Sequence, residues 1–325
     1  MRSPCSRETA LKESLRISNR RSVPLHPAGP RKDEPGKLLV PVRKPAMDVH
    51  LLVTAGDECR PSAVADFIST FFTHKAALRF TLFAAFMRGT SNGVGLKKGR
   101  SARPGPVHRV RVKLDAMREL LSHSGIREEG IRNKILDRRR ATVNDLLREA
   151  ASVHYDAVLL RKDSRSLRDE FFSLCLSRKI LNQGLGAPVW ICQPAEPGRQ
   201  NVLFCVDETC ASVRMAGYIG SMLRDEPQHR VTIFHVDTGK RSNVPEIMER
   251  ARRGIIEGGT PEDRIVTLVK PSRRIIGSIR EEAMAGAYAV AAFGHEPGEA
   301  KAWFPGSRCL TILETIEECT LWVGR

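Results

Sequence analysis

The sequence predicts an α/β protein with two tandem domains, each built on a doubly wound, five-stranded parallel sheet. Strand-like apolar runs alternate with helical stretches along residues 47–325, and the landmarks of the first half return in order in the second half. Each half also closes on an apolar strand centred on a tryptophan. Strands that alternate with helices form parallel sheets, and right-handed crossovers place the helices on both faces.

Each half opens with an apolar strand, an acidic corner and the start of a helix. The two segments are LLVTAGDECRPSAVADFISTFF (51–72) and NVLFCVDETCASVRMAGYIGSML (201–223). In both, an Asp-Glu pair precedes a serine just inside the helix, Ser62 in the first half and Ser212 in the second. We therefore align these serines, which are 150 residues apart.

The later landmarks are a helix that leads into a strand and the closing tryptophan strand. The helix–strand segments are VNDLLREAASVHYDAVLL (143–160) and IIGSIREEAMAGAYAVAAFG (275–294). Val158 aligns with Val290 and Trp190 with Trp322, each 132 residues apart. The first half therefore has 18 additional residues, and the polar Gly/Lys/Arg segment around 90–107 is the natural place for them.

In the second half the elements can be read in order. They are NVLFCV, a helix to Arg224, RVTIFHV, a helix over 244–258, RIVTLV, a helix over 272–285, YAVAAF, a short helix and TLWVG. In such a sheet a ligand is expected at the carboxyl ends of the strands, where the strand order reverses.

The domain boundaries follow from composition. Residues 1–46 have no sustained apolar period and predict a disordered basic tail, either a true extension or a start assigned upstream of Met47. The first domain spans 47–192 with a basic loop insertion at about 88–113, the polar linker QPAEPGRQ spans 193–200, and the second domain spans 201–325.

The net charge of +16 is concentrated in two segments. Residues 1–46 contribute +7 and residues 88–113 contribute +8, so the rest of the chain is nearly neutral. Neither segment interleaves aromatic residues with its lysines and arginines, so neither offers a stacking platform. We do not expect a nucleic-acid partner, although weak, salt-sensitive binding through these segments is the alternative function.

The composition indicates a cytoplasmic protein without a membrane partner. No apolar run approaches the ~18–20 residues of a bilayer span. The eight cysteines form no C-x-x-C pair, and several lie inside apolar runs, where a reduced thiol acts as a small hydrophobic side chain. We therefore predict no metal site and no disulfide framework.

These landmarks resemble those of the universal stress protein family, over 47–192 and again over 201–325. The segments HSGIREEGI (123–131) and EGGTPEDRI (257–265) look like the turn before the third strand of that family. The resemblance implies the adenine-nucleotide α-hydrolase-like fold of universal stress proteins, here in a tandem member. It also implies a stress-response or signalling module rather than an enzyme.

Nucleotide-binding members of the family carry a loop of the form Gly-x2-Gly-x9-Gly-Ser/Thr after the fourth strand. Its glycines admit phosphate groups to the backbone. The matching stretch of the second half, GHEPGEAKAWFPGSR (294–308), has the spacing Gly294-x3-Gly298-x7-Gly306-Ser307, one residue shorter. In the first half, KDSRSLRDEFFSLCLSR (162–178) has Lys162 at the first position and no glycine. Two lost phosphate contacts cost about 3–6 kcal/mol, so the resemblance implies ATP in the second domain only.

The resemblance places three further residues at this site. Asp207 would lie near the ribose or adenine, the backbone of Val269 would face the adenine, and Arg308 would reach a phosphate. Each has a purely structural alternative. Asp207 is also suited to accept hydrogen bonds from helix amides, Val269 to an ordinary strand core, and Arg308 to a solvated helix surface.

An enzyme on the same scaffold is the competing function class. The sequence contains no G-x-S-x-G, H-E-x-x-H or G-x-x-x-x-G-K-[ST] motif. The strand-adjacent histidines are interpreted as structural, namely His50, His154, His235 and His295. We therefore assign no catalytic residue.

The closing strands APVWIC (187–192) and CTLWVG (319–324) predict an intramolecular pseudo-dimer. A last strand at a sheet edge leaves backbone groups unpaired and must be covered or paired. Family members commonly pair there as homodimers, and a tandem chain supplies both edges itself. The pairing would be antiparallel about a local two-fold axis. A further homodimer and an unidentified protein partner remain open at this point.

Overall fold

One mostly parallel sheet of ten strands runs through the described part of the chain. The structure is a computed structural model, and it describes residues 48–54, 62–87, 106–138, 143–161, 185–193, 196, 198–239, 242–296 and 306–325. Residues Pro45–Arg325 form one compact unit. The predicted tail 1–46, the insertion as far as residue 105 and the glycine-free loop 162–178 lie outside the described residues. Residues 106–113, predicted as part of the loop insertion, are helical instead.

The first half contributes five parallel strands in the order 3-2-1-4-5. They are β1 (Val49–Thr54), β2 (Leu78–Met87), β3 (Ile131–Arg138), β4 (Ala157–Arg161) and β5 (Val189–Cys192). The second half repeats this order as 8-7-6-9-10. Its strands are β6 (Asn201–Cys205), β7 (Val231–Asp237), β8 (Ile265–Pro271), β9 (Tyr288–Gly294) and β10 (Thr320–Gly324).

The two halves meet at the antiparallel pair β5–β10, so their sheets are continuous. Trp190 lies opposite Trp322, and Val189 lies opposite Val323. Because the paired tryptophans occupy the same position of each closing strand, a local two-fold axis passes close to them.

The helices cover both faces of the sheet, as the crossover rule requires. They are α1 (Ser62–Phe71), α2 (Pro106–His123), α3 (Val143–Ser152), α4 (Cys210–Met222), α5 (Val244–Gly258), α6 (Ile275–Ala285) and α7 (Gly306–Thr315). One core cluster joins side chains of α1, α2, α4 and α5, including Phe67, Leu114, Met215 and Ile255. The other joins α3, α6 and α7, through Leu146, Ile279 and Leu313. The α/β fold class and the doubly wound order are therefore those predicted.

The alignment of β4 with β9 needs a correction of one residue. Trp190 pairs with Leu159, and Trp322 pairs with Ala292, so Leu159 corresponds to Ala292 and Val158 does not correspond to Val290. The reason lies in the segment between the two strands, because 31 positions separate Leu159 from Trp190 and 30 separate Ala292 from Trp322. A sequence alignment of apolar strands is easily wrong by one residue, because several neighbouring side chains are equally suited to the core.

The corrected alignment reveals the same hydrogen bond in both halves. Tyr155 donates its hydroxyl to Glu149 Oε1 at 2.8 Å, and Tyr288 donates to Glu282 Oε1 at 2.9 Å. Tyr155 shortly precedes β4 and Tyr288 is the first residue of β9, and in each case the glutamate lies on the helix before the strand. Burial, above all, raises the pKa of both tyrosines to about 12.

Aromatic side chains fill the junction on the face of α1 and α4. The rings of Trp190 and Trp322 are stacked, and Phe71 contacts Trp322 edge-on at 5.4 Å. Phe67 contacts Trp190 edge-on at 6.0 Å, and Tyr218 does the same to Trp322. Large aromatic rings bury much apolar area with few rotatable bonds, which suits them to hold two sheets together.

Helices α4 and α5 touch backbone to backbone. A Cβ atom at Gly220 would lie 2.2 Å from the carbonyl oxygen of Ile255, and one at Gly258 would lie 2.5 Å from that of Gly217. Only glycine allows this approach. In the serine alignment, Phe67 and Thr70 of α1 correspond to Gly217 and Gly220, so the first half lacks these two glycines.

Candidate functional site

The order of the strands reverses between β6 and β9 in the second half. Along the chain, β6 is followed outward by β7 and β8, whereas β9 lies on the other side of β6 and is followed by β10. Loops that leave two such strands diverge and open a crevice at their carboxyl ends. Residues after Cys205 and around Gly294 border this crevice, because Cys205 pairs with Phe293.

Asp207 lies at this crevice and organises the start of α4. Its Oδ1 accepts hydrogen bonds from Thr209 Oγ1 at 2.5 Å, Ser212 Oγ at 2.6 Å and the Thr209 amide at 3.1 Å. Thr209 is the N-cap residue, and its hydroxyl accepts the amide of Ser212. Asp207 is 5 % exposed. The helix-capping alternative therefore describes the contacts of Oδ1.

His235 on β7 is a buried neighbour of this network. Its Nδ1 lies 3.0 Å from the carbonyl oxygen of Val206, so Nδ1 carries the proton. Burial is the main cause that lowers the pKa of His235, against the raising effects of the Val206 carbonyl and Asp237. A neutral imidazole that donates to a backbone carbonyl fits the structural interpretation of this histidine.

Gly294 ends β9 in direct contact with the first turn of α4. A Cβ atom there would lie 2.4 Å from the amide nitrogen of Ser212 and 2.6 Å from the carbonyl carbon of Ala211. The next residue, His295, is buried and donates its amide to Gly324 O at 2.7 Å. Glycine at position 294 is thus required by packing, and its backbone lies beside helix amides.

Val269 lies on β8, and β7 separates it from β6. It pairs with His235 and is 42 % exposed. The structure therefore does not bring Val269 next to Asp207. Val236, which is fully buried on β7, is closer to Asp207 in register, since Phe234 pairs with Cys205 two residues earlier.

The remaining predicted residues belong to the loop after β9. Gly298 lies outside the described residues. Gly306, Ser307 and Arg308 are the first three residues of α7, and the placement of their side chains is not described. Gly306 thus begins a helix, which is where the loop pattern requires its last glycine.

Thr209 was given no role from the sequence, and Ser212 served only to align the two halves. Thr209 and Ser212 form the hydrogen-bond network with Asp207, and their spacing in DETCAS is a recognisable N-cap signal. A salt bridge between Arg214 and Glu296, at 3.0 Å, links α4 to the segment after β9. This ion pair joins segments 82 residues apart, so sequence spacing gives no sign of it.

Across the described residues no group of three or more His, Cys, Asp or Glu side chains is placed to hold a metal ion. No helix in the described part of the chain is long and apolar enough to cross a bilayer.

The fold is similar to that of a universal stress protein from Archaeoglobus fulgidus DSM 4304. The two structures superpose with a TM-score of 0.56 at 12% sequence identity, over 85% of this chain and 96% of the other. A protein of unknown function from Pseudomonas aeruginosa PAO1 gives a TM-score of 0.49 at 14% identity, over 86% and 92% of the two chains. No protein-family model and no curated protein matches the sequence. The similarity to the Archaeoglobus protein establishes the fold.

Proposed function

We propose that this chain is a tandem universal stress protein. In this proposal it is a non-enzymatic stress-response module of the cytoplasm that binds ATP or another adenine nucleotide in its second half only. The observation that carries the proposal is the position of Gly294, which ends a central strand at the switch point, against the first turn of α4. The chain also has the same fold as the Archaeoglobus universal stress protein.

The crevice supplies the groups that a triphosphate needs. The first turn of α4 packs beside Gly294, where the Ser212 amide already donates to Thr209, so the helix N-terminus offered to the phosphates is that of α7, which begins at Gly306 after the loop. Amides at a helix N-terminus donate to phosphate oxygens, and the positive end of the helix dipole favours the negative charge. Glycines keep the approach to the backbone open. Phosphate binding is therefore assigned to the loop 294–307.

Asp207 has a supporting part in this proposal. Its Oδ1 is engaged by Thr209 and Ser212, so it fixes the first turn of α4 beside Gly294. Charge-assisted hydrogen bonds of this kind are short and rigid. Asp207 therefore holds the site in shape before the nucleotide binds.

The restriction of nucleotide binding to the second half follows from the sequences of the loops after β4 and β9. By the register of the paired strands the first half has Arg161 where the second has Gly294, and its loop 162–178 contains no glycine. Side chains at all these positions reduce the access of phosphate to the backbone. One nucleotide per chain is therefore the expected stoichiometry.

The test is isothermal titration of the full chain with ATP, together with native mass spectrometry of the purified protein. We expect one site per chain, and Gly306→Val should weaken binding by about 100-fold or more, as the loss of two phosphate contacts implies. Lys162→Ala changes the corresponding loop of the first half and should leave the affinity unchanged. Two sites per chain would contradict the proposal. Failure to bind ATP, with a salt-sensitive shift of nucleic acid, would favour the basic segments instead.

A further inference from the structure

The turn that follows α4 crosses the junction and contacts the end of α1 in the first half. Gln228 Nε2 donates to the carbonyl oxygen of Phe71 at 3.0 Å, and His229 Nε2 lies 2.7 Å from the same oxygen. The His229 ring stacks on the Phe71 ring, with centroids 4.1 Å apart and planes at 15°. His229 is fully buried. A carbonyl at the end of one helix is thus capped by side chains from the other half.

Glu226, in the same turn, binds the backbone that follows α1. Its carboxylate accepts from the Thr73 amide at 2.7 Å, the Thr73 hydroxyl at 2.5 Å and the His74 amide at 3.1 Å. Burial acts to raise the pKa of this carboxyl, but the hydrogen bonds from Thr73 and Gln228 outweigh it, and the pKa is lowered. An ionised carboxylate with several donors is a strong, directional contact.

The second half holds this turn in position by itself. The Arg264 guanidinium donates to the carbonyl oxygens of Leu223 at 3.0 Å and Glu226 at 2.7 Å. Thr260 donates to the Gly220 carbonyl at 3.0 Å. Because these partners all belong to the second half, the turn is shaped before it meets α1, which reduces the entropy lost on pairing.

In this contact, side chains of the second half bind the backbone of the first half, and the first half has no equivalent side chains across the local two-fold axis. Ile131 and Ile265 end the two matching turns, and they pair with Phe80 and Val231, so these strands are offset by 151 residues, one more than the aligned serines. By this offset Glu226 corresponds to Lys75 and His229 to Leu78. Lysine carries no acceptor for amides, and leucine cannot donate to a carbonyl. Two first halves paired through β5 would therefore lack partners for these backbone groups of α1.

We propose that Glu226, Gln228 and His229 form a recognition clasp that makes a first half pair with a second half rather than with another first half. The clasp goes beyond the proposed function and does not depend on nucleotide binding. Its partner is the end of α1, with its free carbonyl at Phe71 and its amides at Thr73 and His74. Specificity of this kind arises because the wrong pairing leaves buried polar groups without partners.

A covalent tether offers a simpler explanation of the same pairing. Two linked domains see each other at an effective concentration in the millimolar range, whatever their contacts. The experiment must therefore measure which halves pair, and not only whether the chain is compact. Wild-type chains labelled with ¹⁴N and ¹⁵N can be mixed, unfolded, refolded together and cross-linked. Links between the two isotopic forms of one peptide then report pairing of like with like.

In wild type, we expect links across β5–β10 to join the two different closing strands, with like-with-like links at background. Glu226→Ala with His229→Ala should raise the like-with-like links by about 10-fold or more, since each lost buried contact changes the preference by roughly that factor. Glu257→Ala, on the exposed last turn of α5, is the matched control and should behave as wild type.

Hydrogen exchange at Thr73 and His74 verifies that the clasp has opened in the variant. Faster exchange with unchanged like-with-like links would overturn the proposal, because the tether would then suffice. If the double variant does not refold, Glu226→Gln retains size and removes the charge. We expect the same direction of change for Glu226→Gln, and no rise above wild type would equally overturn the proposal.

Discussion

Trp190 and Trp322 lie face to face across the junction, with ring centroids 4.5 Å apart and planes 9° from parallel. Neither side chain is exposed to solvent. The contact is a direct result of the antiparallel register, which places the two residues opposite one another. A buried pair of this size concentrates much of the apolar contact between the two halves in two side chains.

Truncation of one ring should therefore be costly. Trp190→Ala is expected to lower the free energy of unfolding by about 3–5 kcal/mol, because a large cavity opens between the sheet and helices α1 and α4. Urea denaturation measures this change, and near-ultraviolet circular dichroism follows the loss of the stacked pair. Val266→Ala, at a residue 46 % exposed on the edge strand β8, should change stability by less than about 1 kcal/mol. An equal effect of the two substitutions would contradict the role of the pair.

The repeated tyrosine–glutamate hydrogen bond gives a second prediction. Tyr155→Phe should lower the free energy of unfolding by about 1–3 kcal/mol, because the buried Glu149 loses a donor. Tyr288→Phe should cost less, since Glu282 is only partly buried and water can replace the hydroxyl. The measurement is urea denaturation of both variants. The opposite ranking would show that the two bonds are not equivalent in their surroundings.

Acidification should destabilise the protein. Burial, as the largest cause, lowers the pKa values of His50, His229 and His235 below their ordinary value of 6.5. The unfolded chain then binds more protons than the folded chain once the pH falls below 6.5, so the free energy of unfolding decreases with falling pH. Urea midpoints between about pH 7.5 and about pH 5.5 measure the slope. His235→Asn should flatten it, and an unchanged slope would exclude His235 as a contributor.

The contact between α4 and α5 predicts opposite results for two glycines of one helix. Gly220→Ala places a Cβ atom 2.2 Å from the carbonyl oxygen of Ile255, so the helices must separate, at a cost of about 1–3 kcal/mol or more. At Gly217 the nearest atom would be 3.9 Å away, so alanine fits. Gly217→Ala should be neutral or stabilise the protein by up to about 1 kcal/mol, through helix propensity. Thermal melting of the two variants decides between these outcomes.

Alternation of strands and helices was enough to predict the fold class, because each type of element has its own apolar period. The repeated landmarks also predicted the pairing of APVWIC with CTLWVG, which the structure shows as β5–β10. The one-residue offset of β9 relative to β4 could not be predicted from the sequence. Val158 and Val290 both suit a core strand, so hydrophobicity does not distinguish an alignment of 132 residues from one of 133.

The candidate site was less predictable than the fold. Asp207 and Gly294 lie at the switch point. Their position in the fold was predictable, because each lies at the end of a strand within a recognisable motif. Val269 was predicted at the site because it ends a strand in the family pattern. The sequence did not show that this strand, β8, is separated from β6 by β7. The contacts of Glu226 with Thr73 join residues 153 apart, and no local pattern predicts a partner at that distance.

The antiparallel junction also sets how the two halves can communicate. Strands of the two halves run in opposite directions, so the carboxyl ends of β6 and β9 share one edge of the sheet with the amino ends of β1 and β4. The carboxyl ends of β1 and β4 lie at the opposite end of the strands. Ligands held at the carboxyl ends in both halves would therefore lie on opposite rims of the one continuous sheet, each facing the amino-terminal turns of the other half.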